Sequence, residues 1–261
     1  MNRLQERFRF LKKQGGKAFI AFITAGYPSL SITEKLTLRL AAIGVDVIEL
    51  GVPFSDPMAD GPAIQEASQV ALKKGANLKK ILKTIRNIRR KSNVPICLMT
   101  YYNPVFCFGE ERFAEAASVS GVDGVIIPDL PPEEGKSFSR FASEYGLNVI
   151  CFVSPTTSTC RIKYITDTAG GFIYYLSLTG VTGARSKLPA GLARDICRIK
   201  RFTSKPVCVG FGVSTRHQVR ELSRAADGVI VGSAIINKIK ENIGRKDLVG
   251  EVADFVLRLK G

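Results

Sequence analysis

Glu49 and Asp60, eleven positions apart, are the residues of this sequence best placed to move protons. Glu49 lies in the run Val47-Ile48-Glu49-Leu50, where the period-two alternation of an extended chain puts it on the face of Val47, opposite Ile48 and Leu50. If Val47 faces a core, so does Glu49. Burial disfavours a charged carboxylate, so its pKa rises and the group becomes able to exchange a proton near neutral pH. An ion-paired structural glutamate would fit the same position. Asp60 follows in a stretch carrying Pro53, Pro57, Gly61 and Pro62, too long to be a mere connector. A loop aspartate commonly forms a turn, but beside an inward glutamate it completes an acid/base couple.

Three glycine-bearing segments suggest a second kind of chemistry: Gly180-Val181-Thr182-Gly183-Ala184, Gly210-Phe211-Gly212-Val213-Ser214 and Val231-Gly232-Ser233-Ala234. The last opens a helical pattern through Ile235, Ile236 and Ile239. Glycine lets backbone N–H groups approach an anion, and a helix amino terminus adds unpaired donors and a favourable dipole. Together they read as a phosphate cradle. There is no G-x-S-x-G elbow, no P-loop and no metal-ligand cluster, and His217 falls in a helical run where a surface position is the default. The six cysteines lack CxxC spacing, and Cys97, Cys151 and Cys208 lie in apolar runs as small hydrophobes, which suits a reducing cytoplasm.

The elements that must position these residues alternate regularly. Short β-branched or aromatic runs occur at Ala18–Ile23, Val47–Leu50, Ile96–Met99, Val125–Ile127, Val149–Val153, Phe172–Leu176, Val207–Val209 and Val229–Val231. Between them lie amphipathic stretches: Ser31–Ile43, opened by a capping box Ser31-x-x-Glu34, Leu78–Lys91, Phe138–Tyr145 and Ser214–Ala225. Gly44-Val45-Asp46 and Gly121-Val122-Asp123 repeat as joints from helix to strand. Eight such units in 261 residues, with no linker, predict one domain over 1–261: a (β/α)₈ TIM barrel with an additional N-terminal helix around Leu4, Phe8 and Leu11. A doubly wound dinucleotide-binding sheet is disfavoured, because Gly210-Phe211-Gly212 lacks the third glycine and follows the seventh strand rather than the first. In a barrel, chemistry belongs at the carboxyl ends of the strands.

Composition narrows the partners. Thirty-eight basic against twenty-three acidic side chains leave a formal charge of +15, which raises the question of nucleic acid. Much of the excess, however, sits on helix faces such as Lys79, Lys80, Lys83, Arg86, Arg89 and Arg90, opposite an apolar stripe, with no zinc-finger pattern or aromatic platform. These read as solvated faces, leaving at most a modest steering of an anionic substrate. The longest uncharged runs are broken by Pro95, Pro104, Gly26 and Pro28, so neither a membrane span nor a signal peptide is predicted.

The segment Glu49-Leu50-Gly51-Val52-Pro53-Phe54-Ser55-Asp56-Pro57-Met58-Ala59-Asp60-Gly61-Pro62, with Ala18–Pro28, Tyr101-Tyr102-Asn103-Pro104, Pro128–Glu134 and the three glycine loops, resembles the α subunit of tryptophan synthase across essentially the whole chain. That resemblance implies a lyase cleaving indole-3-glycerol phosphate to indole and glyceraldehyde 3-phosphate, a retro-aldol step without a metal or cofactor in this chain. It implies Glu49 as general acid/base and Asp60 as partner of the indole N–H. Phe22, Met99, Ile126, Tyr174, Phe211 and Ile230 match indole-pocket positions, and Gly183, Gly212, Gly232 and Ser233 match phosphate contacts. Thr182 matches a loop threonine that closes over Asp60, while Leu178 stands where some relatives carry arginine. A β subunit is implied as partner in an α₂β₂ assembly, holding pyridoxal phosphate and condensing indole with L-serine to L-tryptophan; Asp56, Pro57, Asn103 and Pro131 match its docking surface. Two other readings stay open: a catalytically weak α subunit that chiefly activates its β partner, and a free-standing indole-3-glycerol phosphate lyase.

Overall fold

The computed structural model describes residues 2–176, 191–210 and 212–261. The first half of the chain runs α1 (Arg3–Lys13), β1 (Ala18–Thr24), α2 (Leu30–Ala42), β2 (Val47–Gly51), α3 (Pro62–Lys73), α4 (Leu78–Arg89), β3 (Ile96–Met99), α5 (Tyr102–Phe108), α6 (Glu110–Ser120) and β4 (Gly124–Ile126). The second half runs α7 (Lys136–Glu144), β5 (Asn148–Val153), α8 (Thr159–Thr168), β6 (Ile173–Leu176), α9 (Leu192–Lys200), β7 (Val207–Gly210), α10 (Arg216–Ser223), β8 (Gly228–Val231), α11 (Ser233–Glu241) and α12 (Leu248–Lys260). All neighbouring strands are parallel and β8 closes on β1, so the sheet is a closed barrel. Each of the eight predicted strands is present, with ends within one residue of expectation.

Alternation along the strands sorts side chains into two cores. Ile20, Val47, Cys97, Ile126, Ile150, Tyr174, Cys208 and Ile230 pack together inside the barrel, while Ile48, Leu50, Leu98, Val125, Val209 and Val229 meet the outer helices. Val47 therefore does face inward, and period two takes Glu49 with it. Leu4 and Phe8 of α1 join the inner cluster, Phe8 lying 5.6 Å from the Phe172 ring. Helices of eleven residues are marginal in isolation. Burying two such side chains, at roughly 2 kcal/mol each, is what holds α1 against the barrel.

Aspartates at the helix-to-strand joints tie the amino-terminal end. Asp46 accepts the Phe19 N–H at 2.7 Å and the Arg7 Nε–H at 2.9 Å. Asp123 accepts the Ile96 N–H at 2.9 Å and pairs with Arg89 at 2.7 Å. Asp227 accepts the Val207 N–H at 3.0 Å and pairs with Lys200 at 2.8 Å. Each carboxylate thus satisfies a backbone donor at the start of one strand from the joint leading into the next. Gly121, at φ 92°, supplies the left-handed turn that brings Asp123 back to the sheet.

Several sequence expectations change. The helix α2 is capped by Ser29, which accepts the Ile32 N–H, not by a Ser31/Glu34 box; Glu34 instead meets Lys91 at 3.0 Å. The Ser214–Ala225 stretch shortens to α10, opened by a capping box between Thr215 and Gln218. Arg89 is not a solvated charge: its side chain is 11% exposed and its guanidinium also donates to the Gly121 carbonyl at 2.7 Å. Lys79, Lys80, Lys83, Arg86 and Arg90 are exposed as expected. His217 is likewise exposed, and Cys97, Cys151 and Cys208 are buried free thiols. Among the described residues no helix is long and apolar enough to cross a membrane.

Candidate active site

Glu49 stands two residues before the carboxyl end of β2, in register with Phe22 on β1 and Cys97 on β3. It is 1% exposed, and neither carboxylate oxygen has a hydrogen-bond partner among the described residues. A buried carboxylate without donors is costly when charged, so the group keeps its proton. Burial first, and the Asp60 charge second, push its pKa up to about 8. The ion-paired structural reading finds no support here, because no cation among the described residues pairs with it.

Asp60 ends the β2–α3 loop, just before the Gly61 N-cap and Pro62 at the first turn of α3. Burial raises its pKa to about 6, and the Tyr101 hydroxyl, donating to the carboxylate, opposes that rise. Tyr101 also accepts the Ala59 N–H at 3.0 Å, stacks on Phe54 at 5.2 Å, and so holds the loop on both sides of its apex. Gln65 closes the loop from α3 by donating to the Asp60 carbonyl at 2.8 Å. The two pKa values are mutually consistent. Asp60 ionises first while Glu49 is neutral, and its negative charge then helps hold the Glu49 proton. Near neutral pH the pair is therefore one acid and one carboxylate.

Of the pocket positions expected from sequence, Phe22, Ile126, Tyr174 and Ile230 are buried and Met99 is half-buried. Ile126, Tyr174 and Ile230 belong to the inner core that Met99 borders. Burial first, and the neighbouring Glu49 second, push the Tyr174 phenol well above its usual range, so it stays neutral. Glycine decides where the aromatic rings fit. A Cβ on Gly51 would stand 2.6 Å from the Phe22 ring, and one on Gly210 2.6 Å from the Tyr174 ring. Larger residues at these strand ends would push the rings out of place.

The described glycine loops converge on the same end. Gly232 is the N-cap of α11 and Ser233 its first residue, so the N–H groups of the first turn point out from the end of β8. Gly212 follows β7. Thr182, Gly183, Phe211 and Leu178 lie outside the described residues. Asp56 and Pro57 after β2, Asn103 after β3 and Pro131 after β4 all follow the carboxyl ends of three adjacent strands; Pro57 is half-buried and the other three are exposed.

Sequence reasoning passed over four residues. Tyr101 was visible only as part of Tyr101-Tyr102-Asn103-Pro104, and nothing local ties it to Asp60. Phe152 borders the inner core, 4.8 Å from the Tyr174 ring, as counting by two from Ile150 would have shown. Met58 and Phe106, 75% and 64% exposed, are large apolar side chains beside Pro57 and on the helix of Asn103. Their signal was an apolar residue where loop chemistry calls for a polar one.

Comparison with known proteins agrees with this geometry. The family model described as tryptophan synthase alpha chain matches residues 8–256. A tryptophan synthase alpha chain of Geobacter sulfurreducens is 49% identical over 260 residues, covering 100% of this chain and 98% of the relative. The crystal structure of tryptophan synthase subunit alpha from Legionella pneumophila superposes with a TM-score of 0.92 at 39% identity, covering 99% of this chain and 97% of that one. A chain of the Pyrococcus furiosus tryptophan synthase complex superposes with a TM-score of 0.85 at 39% identity, covering 93% and 97%. With the family model spanning nearly its whole length, the chain belongs to the tryptophan synthase alpha chain family.

Proposed function

We propose that this chain, as one barrel domain over 1–261, cleaves indole-3-glycerol phosphate to indole and glyceraldehyde 3-phosphate. The observation that carries the proposal is the split pair: Glu49 protonated up to about pH 8 and Asp60 ionised above about 6, both at the carboxyl end of β2. Glu49 gives its proton to indole C3, and the positive charge that forms spreads to the ring nitrogen. Asp60, accepting from the indole N–H, stabilises that charge. The Glu49 carboxylate then takes the proton of the hydroxyl on the carbon bonded to C3. As the C–C bond breaks, its electrons return to the ring, the carbinol becomes the aldehyde, and Glu49 is again protonated. Such proton transfer contributes about 10²–10⁴-fold.

Phe22, Met99, Ile126, Tyr174, Phe211 and Ile230 wall the indole. Gly183, Gly212, Gly232 and Ser233 hold the phosphate, largely through backbone N–H groups, those of Gly232 and Ser233 lying at the start of α11. Thr182 closes over Asp60 and excludes water.

Asp56, Pro57, Asn103 and Pro131, with Met58 and Phe106, form the surface for a β subunit in an α₂β₂ assembly. Pyridoxal phosphate belongs to that partner, which condenses the indole with L-serine to give L-tryptophan. The exposed apolar side chains on this face favour a docked subunit over a free-standing lyase. The cytoplasm suits both the exposed thiols and the biosynthetic role.

The test is indole release from indole-3-glycerol phosphate by wild type and Glu49→Gln, each with and without β subunit. Release by wild type, faster with the partner and collapsed in the variant, supports the reading. Equal activity of the two proteins removes Glu49 from the chemistry, and no release under any condition leaves an activator alone.

A further inference from the structure

At the end of the barrel opposite Glu49, a cleft of about 1030 Å³ opens between α1 and the chain segments leading into β6, β7 and β8. Five cationic side chains line it: Arg9 and Lys12 from α1, Lys17, Lys200 from α9 and Lys205 before β7. Asp227 is its one carboxylate among the described lining residues. That carboxylate is already engaged, by Lys200 at 2.8 Å, Lys17 at 3.5 Å and the Val207 N–H. Lys205 donates to the Thr166 carbonyl at 2.6 Å, which leaves its charge uncompensated. Arg9 and Lys12 pair with no carboxylate among the described residues and are exposed.

Like charges gathered in one concavity repel one another, and the low-dielectric walls focus their field into the cleft. On a convex helix face water screens such charges; here they converge from α1, α9 and the segments leading into β1 and β7. The volume is that of a small-molecule site rather than a surface for a macromolecule. An excess of four positive charges over Asp227 exceeds what a single carboxylate or phosphate monoester would meet. Gly15, where an added Cβ would meet nothing within 4 Å, leaves backbone uncovered on one wall, so a ligand can come close to the main chain there.

We propose that this cleft binds a small oligophosphate, either a free chain of two or three phosphates or that of a nucleotide. Bound there, it bridges α1 to the β7 side of the barrel and stabilises the fold by mass action. The site is separate from the substrate phosphate cradle, which lies at the other end of the strands.

The experiment is calorimetric titration of the full chain with inorganic tripolyphosphate and, separately, with ATP, both without metal ion, for wild type and the triple variant Arg9→Ala/Lys12→Ala/Lys205→Ala. Thermal melts accompany each titration. One site per chain is expected, with a raised melting temperature, salt-sensitive affinity, and a loss of roughly tenfold or more in the variant, the combined weight of two exposed charges and one half-buried one. Binding of tripolyphosphate alone identifies a free oligophosphate, and tighter binding of ATP identifies a nucleotide. Absence of binding by both, or equal binding by the variant, overturns the proposal. Circular dichroism and unchanged indole release report that the variant is folded, and Arg9→Ala/Lys12→Ala alone provides a second measurement if the triple variant is not.

Discussion

The Tyr101 hydroxyl serves Asp60 and its neighbour at once, donating to the Asp60 carboxylate while accepting the Ala59 N–H at 3.0 Å. A residue at the end of β3 thereby sets both the position and the charge state of a loop that follows β2.

Tyr101→Phe keeps the ring that stacks on Phe54 but removes the hydroxyl. The donor that holds the Asp60 pKa down is lost, so the acid limb of the activity profile moves to higher pH, and turnover at pH 6.5 falls about tenfold. The profile of kcat/KM against pH checks this; an acid limb identical to that of wild type would show that Tyr101 has no hold on Asp60.

On the proposed mechanism, activity requires ionised Asp60 and protonated Glu49 together. With values of about 6 and about 8, kcat/KM traces a bell between these limits, and the two limbs belong to the coupled pair rather than to single residues. A profile flat from pH 5 to 9 would contradict the assignment.

Glu49→Gln separates chemistry from stability. The folded-state pKa of Glu49 lies above its unfolded value of about 4.5, so below that value folded and unfolded chains are both protonated and no penalty exists. As pH rises toward 8 the unfolded chain ionises first, and wild-type stability falls by an amount on the order of a few kcal/mol. The variant lacks this loss. It is expected to gain on wild type in urea unfolding from pH 5 to 8, while its indole release drops by about 10²-fold or more. A constant stability difference across that range would mean that Glu49 is not held neutral.

Arg89→Ala leaves the buried Asp123 carboxylate, which is 1% exposed, with Arg3 as its one remaining cation among the described residues, and withdraws donors from the Gly121 and Val94 carbonyls. A loss of about 3 kcal/mol is expected, far above the effect of Arg90→Ala on the same helix, which should stay within about 0.5 kcal/mol. Denaturant midpoints of the two variants make the comparison directly.

On the proposed docking face, Phe106→Asp is expected to weaken association with β subunit by about tenfold or more and to leave the slow indole release of the isolated chain unchanged. Sedimentation or calorimetry of the mixture measures it. Binding indifferent to this change and to Pro57→Ala would place the interface elsewhere.

Much of this molecule was legible before any coordinates. Period two placed Val47 and Glu49 on one face, and eight alternating units with no linker left few architectures to choose among. Gly232-Ser233 ahead of Ile235 and Ile236 marked a helix start at the right end of the barrel. These features arise from local geometry, which repeats every two or 3.6 residues and leaves a trace in the residue order.

Closure of the barrel decided the rest. Arg89 looks like its exposed neighbours on α4 until the fold brings Asp123, thirty-four positions later, against it. Tyr101 meets Asp60, and Gly51 and Gly210 yield their side-chain space to Phe22 and Tyr174, only because strands distant in sequence stand side by side in one register. Residue order alone sets which side chains point inward. Which inward residues share a pocket, and what charge each carries there, depend on distances and burial that no local period encodes, and these the tertiary structure alone decided.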